Sequence, residues 1–292
     1  MDLYLIESAI VILVAFVYML YDLLNNRNVP TIFVYATVGI GILFTILNAN
    51  LNYALESFGI AAVVIVSGYF LLYKPGSLGL GDILEFGAIS LMLTVQNYPL
   101  LTNNYQYGMP FIFSLFISSG IAALIIVPLY YVPMAVSKSK KSVLTNVKRS
   151  SIIKSMVIAA AYLMLMGVLS IIGFLGLYGI IIVGVLMMGS VFTTLFEETI
   201  THYMVSFLPV KKVLFDDIIA LNMIDAKTLR MIKKNVPEFG RLATGEVIKK
   251  LGRTMPKLKI PIYTKPIPFA VFIFVGAVVS VLFGNLFFFV FR

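Results

Sequence analysis

The chain contains no cysteine, a single histidine and few charges: of its 292 residues only 12% are Asp, Glu, Lys or Arg. Without cysteine there are no disulfides, thiolate zinc sites or cysteine nucleophiles. One histidine excludes a multi-histidine metal centre, and no metal or other cofactor is expected. A soluble domain would carry about a quarter charged residues. Here 60% of residues are hydrophobic and the mean hydropathy is +1.00. Several apolar runs approach or exceed the roughly 20 residues that span a bilayer. The expected class is an all-α polytopic membrane protein. The net charge of +9 then reads as topology and attraction to anionic lipid headgroups, not as nucleic-acid binding. Met1-Asp2-Leu3-Tyr4 lacks the basic region of a secretory signal, and no small-residue cleavage site follows, so the first helix is expected to be retained.

Eight apolar helices are expected, over about 3–21, 31–47, 57–73, 82–95, 110–132, a pair within 155–196, and 266–291. Pro30 cannot continue the first helix and suits the first turn of the second. The long run from Ser155 to Phe196 is broken at Gly173-Phe174-Leu175-Gly176-Leu177-Tyr178-Gly179. With the N-terminus outside, this layout puts every Lys and Arg except Arg292 on the inner side, as the positive-inside rule requires. The chain then divides into a membrane core (1–135), a basic connector (136–154), an extra helix pair (155–196), a small helical cytoplasmic segment (197–264) and the last transmembrane helix (265–292). Asp225 and Thr244 have the look of helix N-caps within that segment.

Asp82 follows Ser77-Leu78-Gly79-Leu80-Gly81 at the mouth of an apolar run. A carboxylate at membrane depth is costly and points to a functional site with a partner. Gly79 and Gly81 would let the backbone turn sharply or approach other segments. The partner is Asp22, in Tyr21-Asp22-Leu23-Leu24 at the end of the first helix. The layout places both acids at the inner ends of their helices. Two carboxyls held close share a proton: the ionised one can take a proton from water while the neutral one hydrogen-bonds a scissile carbonyl. For Asp22 alone, a helix-end residue wetted by the interface is the simpler reading; for Asp82 alone the two readings balance, because the flanking glycines need explaining. Glu85, one turn after Asp82 on the same face, either tunes the Asp82 carboxyl by like-charge repulsion or points to water or headgroups.

This arrangement resembles the GxGD membrane aspartic proteases, and within them the archaeal preflagellin and type IV prepilin peptidases. Those enzymes carry one catalytic aspartate at the cytoplasmic end of helix 1, like Asp22. A basic, proline-containing loop follows, like Arg27-Asn28-Val29-Pro30. A second aspartate stands in a GxGD motif two helices on, like Gly79-Leu80-Gly81-Asp82. Thr264-Lys265-Pro266-Ile267-Pro268 is similar to the approach to their last helix. The resemblance covers roughly the first 135 and last 30 residues. It implies cleavage of class III signal peptides from pilin-like or archaellin precursors at the cytoplasmic membrane, without a cofactor. Three departures stand out. Leu84 replaces a common Lys, helices 6 and 7 read as an insertion, and the absence of cysteine removes the cysteine-rich region of relatives that also methylate. Cleavage without methylation is the expectation.

Presenilin-like proteases are the near alternative, but they carry their aspartates on consecutive late helices and a Pro-Ala-Leu that this chain lacks. A proton- or cation-coupled transporter would place acids near the bilayer midplane, and a pilus-assembly scaffold with an inactive dyad is the third reading. Glu7 is expected at the outer interface. His202 after Glu197-Glu198 reads as an ordinary surface residue rather than a metal ligand. Gly179, Gly184 and Gly189, and the series Gly276, Ser280, Gly284, suggest close helix packing. The basic segment from Lys211 to Lys265 is either a small helical domain or a set of amphipathic pieces, such as Leu229 to Lys234, lying on the inner leaflet. The oligomeric state is left open.

Overall fold

The computed structural model describes residues 3–25, 29–48, 50–74, 78–95, 100–101, 109–138, 147–173, 175–215, 217–264 and 267–286. Arg27, Asn28, residues 75–77, Lys140, Lys141, Lys265 and Pro266 lie outside them, as do residues 287–292 of the expected last helix.

The helices in order are α1 (Leu3–Leu24), α2 (Thr31–Leu47), α3 (Leu51–Gly68), α4 (Leu80–Met92), α5 (Phe111–Lys138), α6 (Arg149–Ile171), α7 (Leu177–Leu195), α8 (Glu197–Met204), α9 (Ala226–Asn235), α10 (Gly245–Thr254) and α11 (Phe269–Phe283). α3 runs on as a π-helical turn over Tyr69–Tyr73, closed by the Lys74 amide on the Tyr69 carbonyl at 2.9 Å. Five helices, with α3 counted through Tyr73, are long and apolar enough to cross a membrane, and α2 and α11 are shorter apolar helices. α3 begins at Leu51, earlier than expected, because the Asn50 side chain accepts from the Asn52 and Tyr53 amides.

α4 is the axis of the bundle. It is only 13 residues long, and its residues from Glu85 to Met92 are all buried. α2 and α3 approach it where they or α4 lack a side chain. A methyl on Gly41 would lie 2.7 Å from the Leu91 Cβ, and one on Gly87 the same distance from the Ile65 Cγ1. α4 ends sooner than expected. Thr94 and Val95 are extended, with Val95 bridging to Pro110 and the Phe111 amide bonding the Thr94 carbonyl at 2.9 Å. α1 supplies Val11, Val14, Ala15 and Tyr18 to the same core, one face at helical spacing.

α5 and α11 pack at Gly276, where an added methyl would stand 2.7 Å from the Ser119 amide nitrogen, and the Ser280 hydroxyl donates to Ser118 at 3.0 Å. Gly284 serves differently from the packing expected of it: its φ of 78° ends α11, a conformation that suits glycine. Gly173, with φ of 76°, likewise lies just past the end of α6, and Gly176 caps α7. α7 rests on α5 at Gly189, close to the Leu124 carbonyl, whereas Gly184 meets nothing within 4 Å. α6 packs chiefly on α7, and most of its remaining surface is exposed, as on a lipid-facing helix.

Residues 205–264 form a small domain with a core of their own, around Val210, Val213, Ile219, Ile232, Val236, Phe239, Val247, Leu251, Ile260 and Ile262. It is not purely helical. Val205–Pro209 (β1) pairs antiparallel with Lys259–Tyr263 (β2), and Ile218 to Ala220 run along the other edge of β2. Asp225 and Thr244 cap α9 and α10 by accepting from the Thr228 and Val247 amides. In α9, Ile232 is buried and Leu229 packs against this core. The face that could have lain on a leaflet is therefore used up inside the domain.

Candidate active site

Asp22 extends the buried stripe of α1. It stands four residues beyond Tyr18, which is 1% exposed, so the helical period turns its side chain to the same face. Asp82 lies in the first turn of α4, and its carboxylate accepts from the Gly79 amide at 3.1 Å. That bond satisfies one of the amide donors left open at a helix N-terminus, and it holds the Asp82 side chain back over the start of its helix. Both acids are partly exposed.

The two carboxyls come from segments 60 residues apart in sequence and lie close enough for each charge to act on the other. Packing puts them at one end of the bundle. Phe16 of α1 meets Phe274 of α11, the rings tilted, at 5.5 Å between centroids, and Phe86 of α4 meets Phe269 at 6.2 Å. The final turn of α1 and the first turns of α4 and α11 are therefore level.

Glu85 is 0% exposed, and neither of its oxygens finds a hydrogen-bond partner. It faces Asp82, Asp22 and Tyr18 electrostatically, so water and headgroups are not its surroundings. Tyr18 is held off from it, its hydroxyl bonding Thr37 at 3.1 Å.

The supporting residues behave less uniformly. Pro30 is the cap of α2 rather than a residue of its first turn, and its carbonyl accepts from Phe33 and Val34. Gly79 has φ of −72° and ψ of 155°, which any residue adopts, and a methyl there would stand 3.3 Å from the Asp82 carboxylate. Gly81 has nothing within 4 Å of where a side chain would begin. The close backbone approach expected of the two glycines is not seen, and Gly81 instead leaves open space beside Asp82. Leu84 packs against the core of the bundle.

Glu7 departs from expectation. It is 5% exposed rather than interfacial, and it accepts from the Asn48 side chain at 2.9 Å. Its sequence signal is the stripe itself, since residues 7, 11, 14 and 18 share one helical face. His202 is exposed on α8. Glu197 and Glu198 are drawn to Lys154 at 4.0 Å and Lys148 at 2.5 Å, joining α8 to the start of α6. Among the described residues no group of three His, Asp or Glu is placed to hold a metal ion.

Comparison of the chain with known family models, characterised proteins and solved structures finds no match.

Proposed function

We propose that this chain is a membrane aspartic endopeptidase that removes class III signal peptides from pilin-like or archaellin precursors, with Asp22 and Asp82 as its dyad. The observation that supports the reading is that Asp22 of α1 and Asp82 of α4 lie at one partly exposed end of the bundle, within electrostatic reach of each other. The charge pattern supports eight spans with the N-terminus outside and this end facing the cytoplasm.

The reaction follows from the pair. The ionised carboxyl takes a proton from water as the water oxygen attacks the scissile carbonyl, while the neutral carboxyl donates its proton to the carbonyl oxygen. The tetrahedral adduct collapses as a proton passes to the leaving amide nitrogen. The C–N bond breaks and the dyad again holds one proton. The open space at Gly81 leaves room for an extended substrate backbone. Glu85 adds a third carboxyl that raises the local negative potential whenever it is ionised.

The test is cleavage of a precursor with a basic leader ending in glycine, in membranes, by wild type, Asp22→Asn and Asp82→Asn. Each substitution should lower the rate by about 10²- to 10⁴-fold, the usual worth of acid–base catalysis, with expression unchanged. Activity that survives either one rules the dyad out. A transporter reading draws on the buried, unpartnered Glu85, since such acids also serve as proton relays. It gains if no precursor is cut and Glu85→Gln abolishes proton flux in proteoliposomes.

A further inference from the structure

Leu214 and Phe215 are the conspicuous exposed apolar pair of the 205–264 domain, at 69% and 68% exposure. Their neighbours Val210 and Val213 are buried in its core. The chain holds the pair outward deliberately: the Leu214 amide donates to the Asp217 carboxylate at 2.7 Å, and the Asp217 amide returns to the Leu214 carbonyl at 3.3 Å. Lys211 and Lys212, both exposed, precede the pair with Val213 between, in a turn that opens at Val210, whose amide bonds the Leu258 carbonyl at 3.3 Å at the other end of the β1–β2 pairing.

The hydrogen bonds fix where this turn lies. Ile218 follows it directly, and its carbonyl accepts from the Tyr263 amide at 3.0 Å. Tyr263 pairs with Val205, and the Thr264 amide bonds the Met204 carbonyl at 2.9 Å. Met204 and Ile267 pack in one cluster with Leu195 and Phe196 at the end of α7 and Tyr131 of α5. The turn therefore lies at the bundle end of the β-ribbon, the end from which the chain runs through α8 to α7 and on to α11. Aqueous solvent is a poor environment for two large apolar side chains. At this level the bilayer surface around the bundle is within reach.

We propose that Leu214 and Phe215 anchor the 205–264 domain to the membrane, entering the boundary between headgroups and acyl chains. An exposed apolar pair at this level matches that boundary in polarity. In sequence Lys211 and Lys212 are balanced by Asp216 and Asp217, so the anchor is apolar rather than electrostatic. The anchor would hold the domain at the end of the bundle that carries Asp22 and Asp82. The inference needs only a bilayer around the bundle and does not rest on the peptidase reading.

The chain has no tryptophan, so Phe215→Trp introduces a single indole. The full chain carrying it is placed in lipid nanodiscs at one copy per disc, with Leu214→Trp as a second variant should the first fail to fold. The expected result is blue-shifted emission shielded from acrylamide. Lipids brominated near the glycerol end of the acyl chain should quench it about twofold, the depth expected for an interfacial side chain. Quenching should be alike in anionic and zwitterionic discs. Water-like emission open to acrylamide and blind to brominated lipid overturns the anchor. Shielding that appears only with two copies per disc, without a lipid response, overturns it in favour of self-association. Quenching confined to anionic discs overturns the apolar anchor in favour of a charge contact elsewhere in the domain.

Discussion

Backbones in the bundle meet where side chains are missing. α11 reaches α5 at Gly276, α2 reaches α4 at Gly41, and α7 reaches α5 at Gly189. Several of its buried hydroxyls bond from helix to helix, as where Ser57 meets Thr94 at 2.5 Å or Thr45 donates to the Leu91 carbonyl at 3.2 Å. The domain of residues 205–264 is built the other way. Its helices carry narrow apolar stripes, Val247 with Leu251 in α10, and cover them with Lys249, Lys250 and Arg253. The difference follows from the solvent. Lipid gives no hydrophobic drive between helices, so close packing and internal hydrogen bonds must join them. Water supplies that drive, and a stripe of branched side chains suffices.

The strongest way to press this contrast is to remove a stripe residue from the domain. Leu251 is 1% exposed, and Leu251→Ala should cost about 2–5 kcal/mol through lost burial and a residual cavity. Hydrogen exchange should then rise across α9, α10 and both strands while α1, α4 and α11 stay protected. Loss of protection across the bundle as well would mean that the two regions are one cooperative unit.

A single substitution made in both regions should give opposite signs. Gly276→Ala forces a methyl against the Ser119 backbone, 2.7 Å from its amide nitrogen, and should destabilise the bundle by about 1–3 kcal/mol as an overpacked contact. Gly252→Ala in α10 would stand 4.0 Å from the Val210 Cγ1, an ordinary contact, and should stabilise the domain by about 0.5–1 kcal/mol because alanine favours the helix. Thermal unfolding in detergent, read by circular dichroism for the first and by exchange for the second, checks both. Equal signs would break the comparison.

The same contrast explains what the amino-acid sequence discloses. Bundle helices are legible because apolar length alone marks them, and the break at Gly173 and Gly176 is legible because glycine ends helices. The start of α3 was missed because Asn50 caps it inside a polar stretch. β1 and β2 were missed for a different reason: Val205–Pro209 and Lys259–Tyr263 are five residues each and about fifty apart, so neither has a partner in its own sequence window. At the candidate site, Asp22 and Asp82 could be named, because a carboxyl beside an apolar run is conspicuous. The burial of Glu7 is legible from its place on the stripe with Val11, Val14 and Tyr18, whereas that of Glu85 turns on which side of α4 the neighbours occupy, which only the packing supplies. The open space at Gly81 is of the same kind, since a glycine's letter does not say whether its absent side chain is replaced by protein or by nothing.

The smallest effects belong to the surface charges of the domain, and they carry a definite sign. The Thr228 hydroxyl and amide hold the Asp225 carboxyl below its usual range, and Lys250 does the same for Glu238, 2.8 Å away. A carboxyl depressed on folding stabilises the native state at pH above its ordinary value, about 3.9 for aspartate and about 4.3 for glutamate. That support is lost as pH falls through the depressed native value. Lys250 is raised by the same pair, so its share is present below about pH 10.4 and fades as pH climbs past it. Amide exchange in α9 and α10, corrected for intrinsic rates, should therefore be flat from pH 5 to 8 and quicken below about pH 4. Asp225→Asn should blunt the acid limb in α9 alone, because an asparagine side chain still caps the helix but no longer titrates. An acid limb unchanged by that substitution would assign the loss to charges elsewhere in the chain.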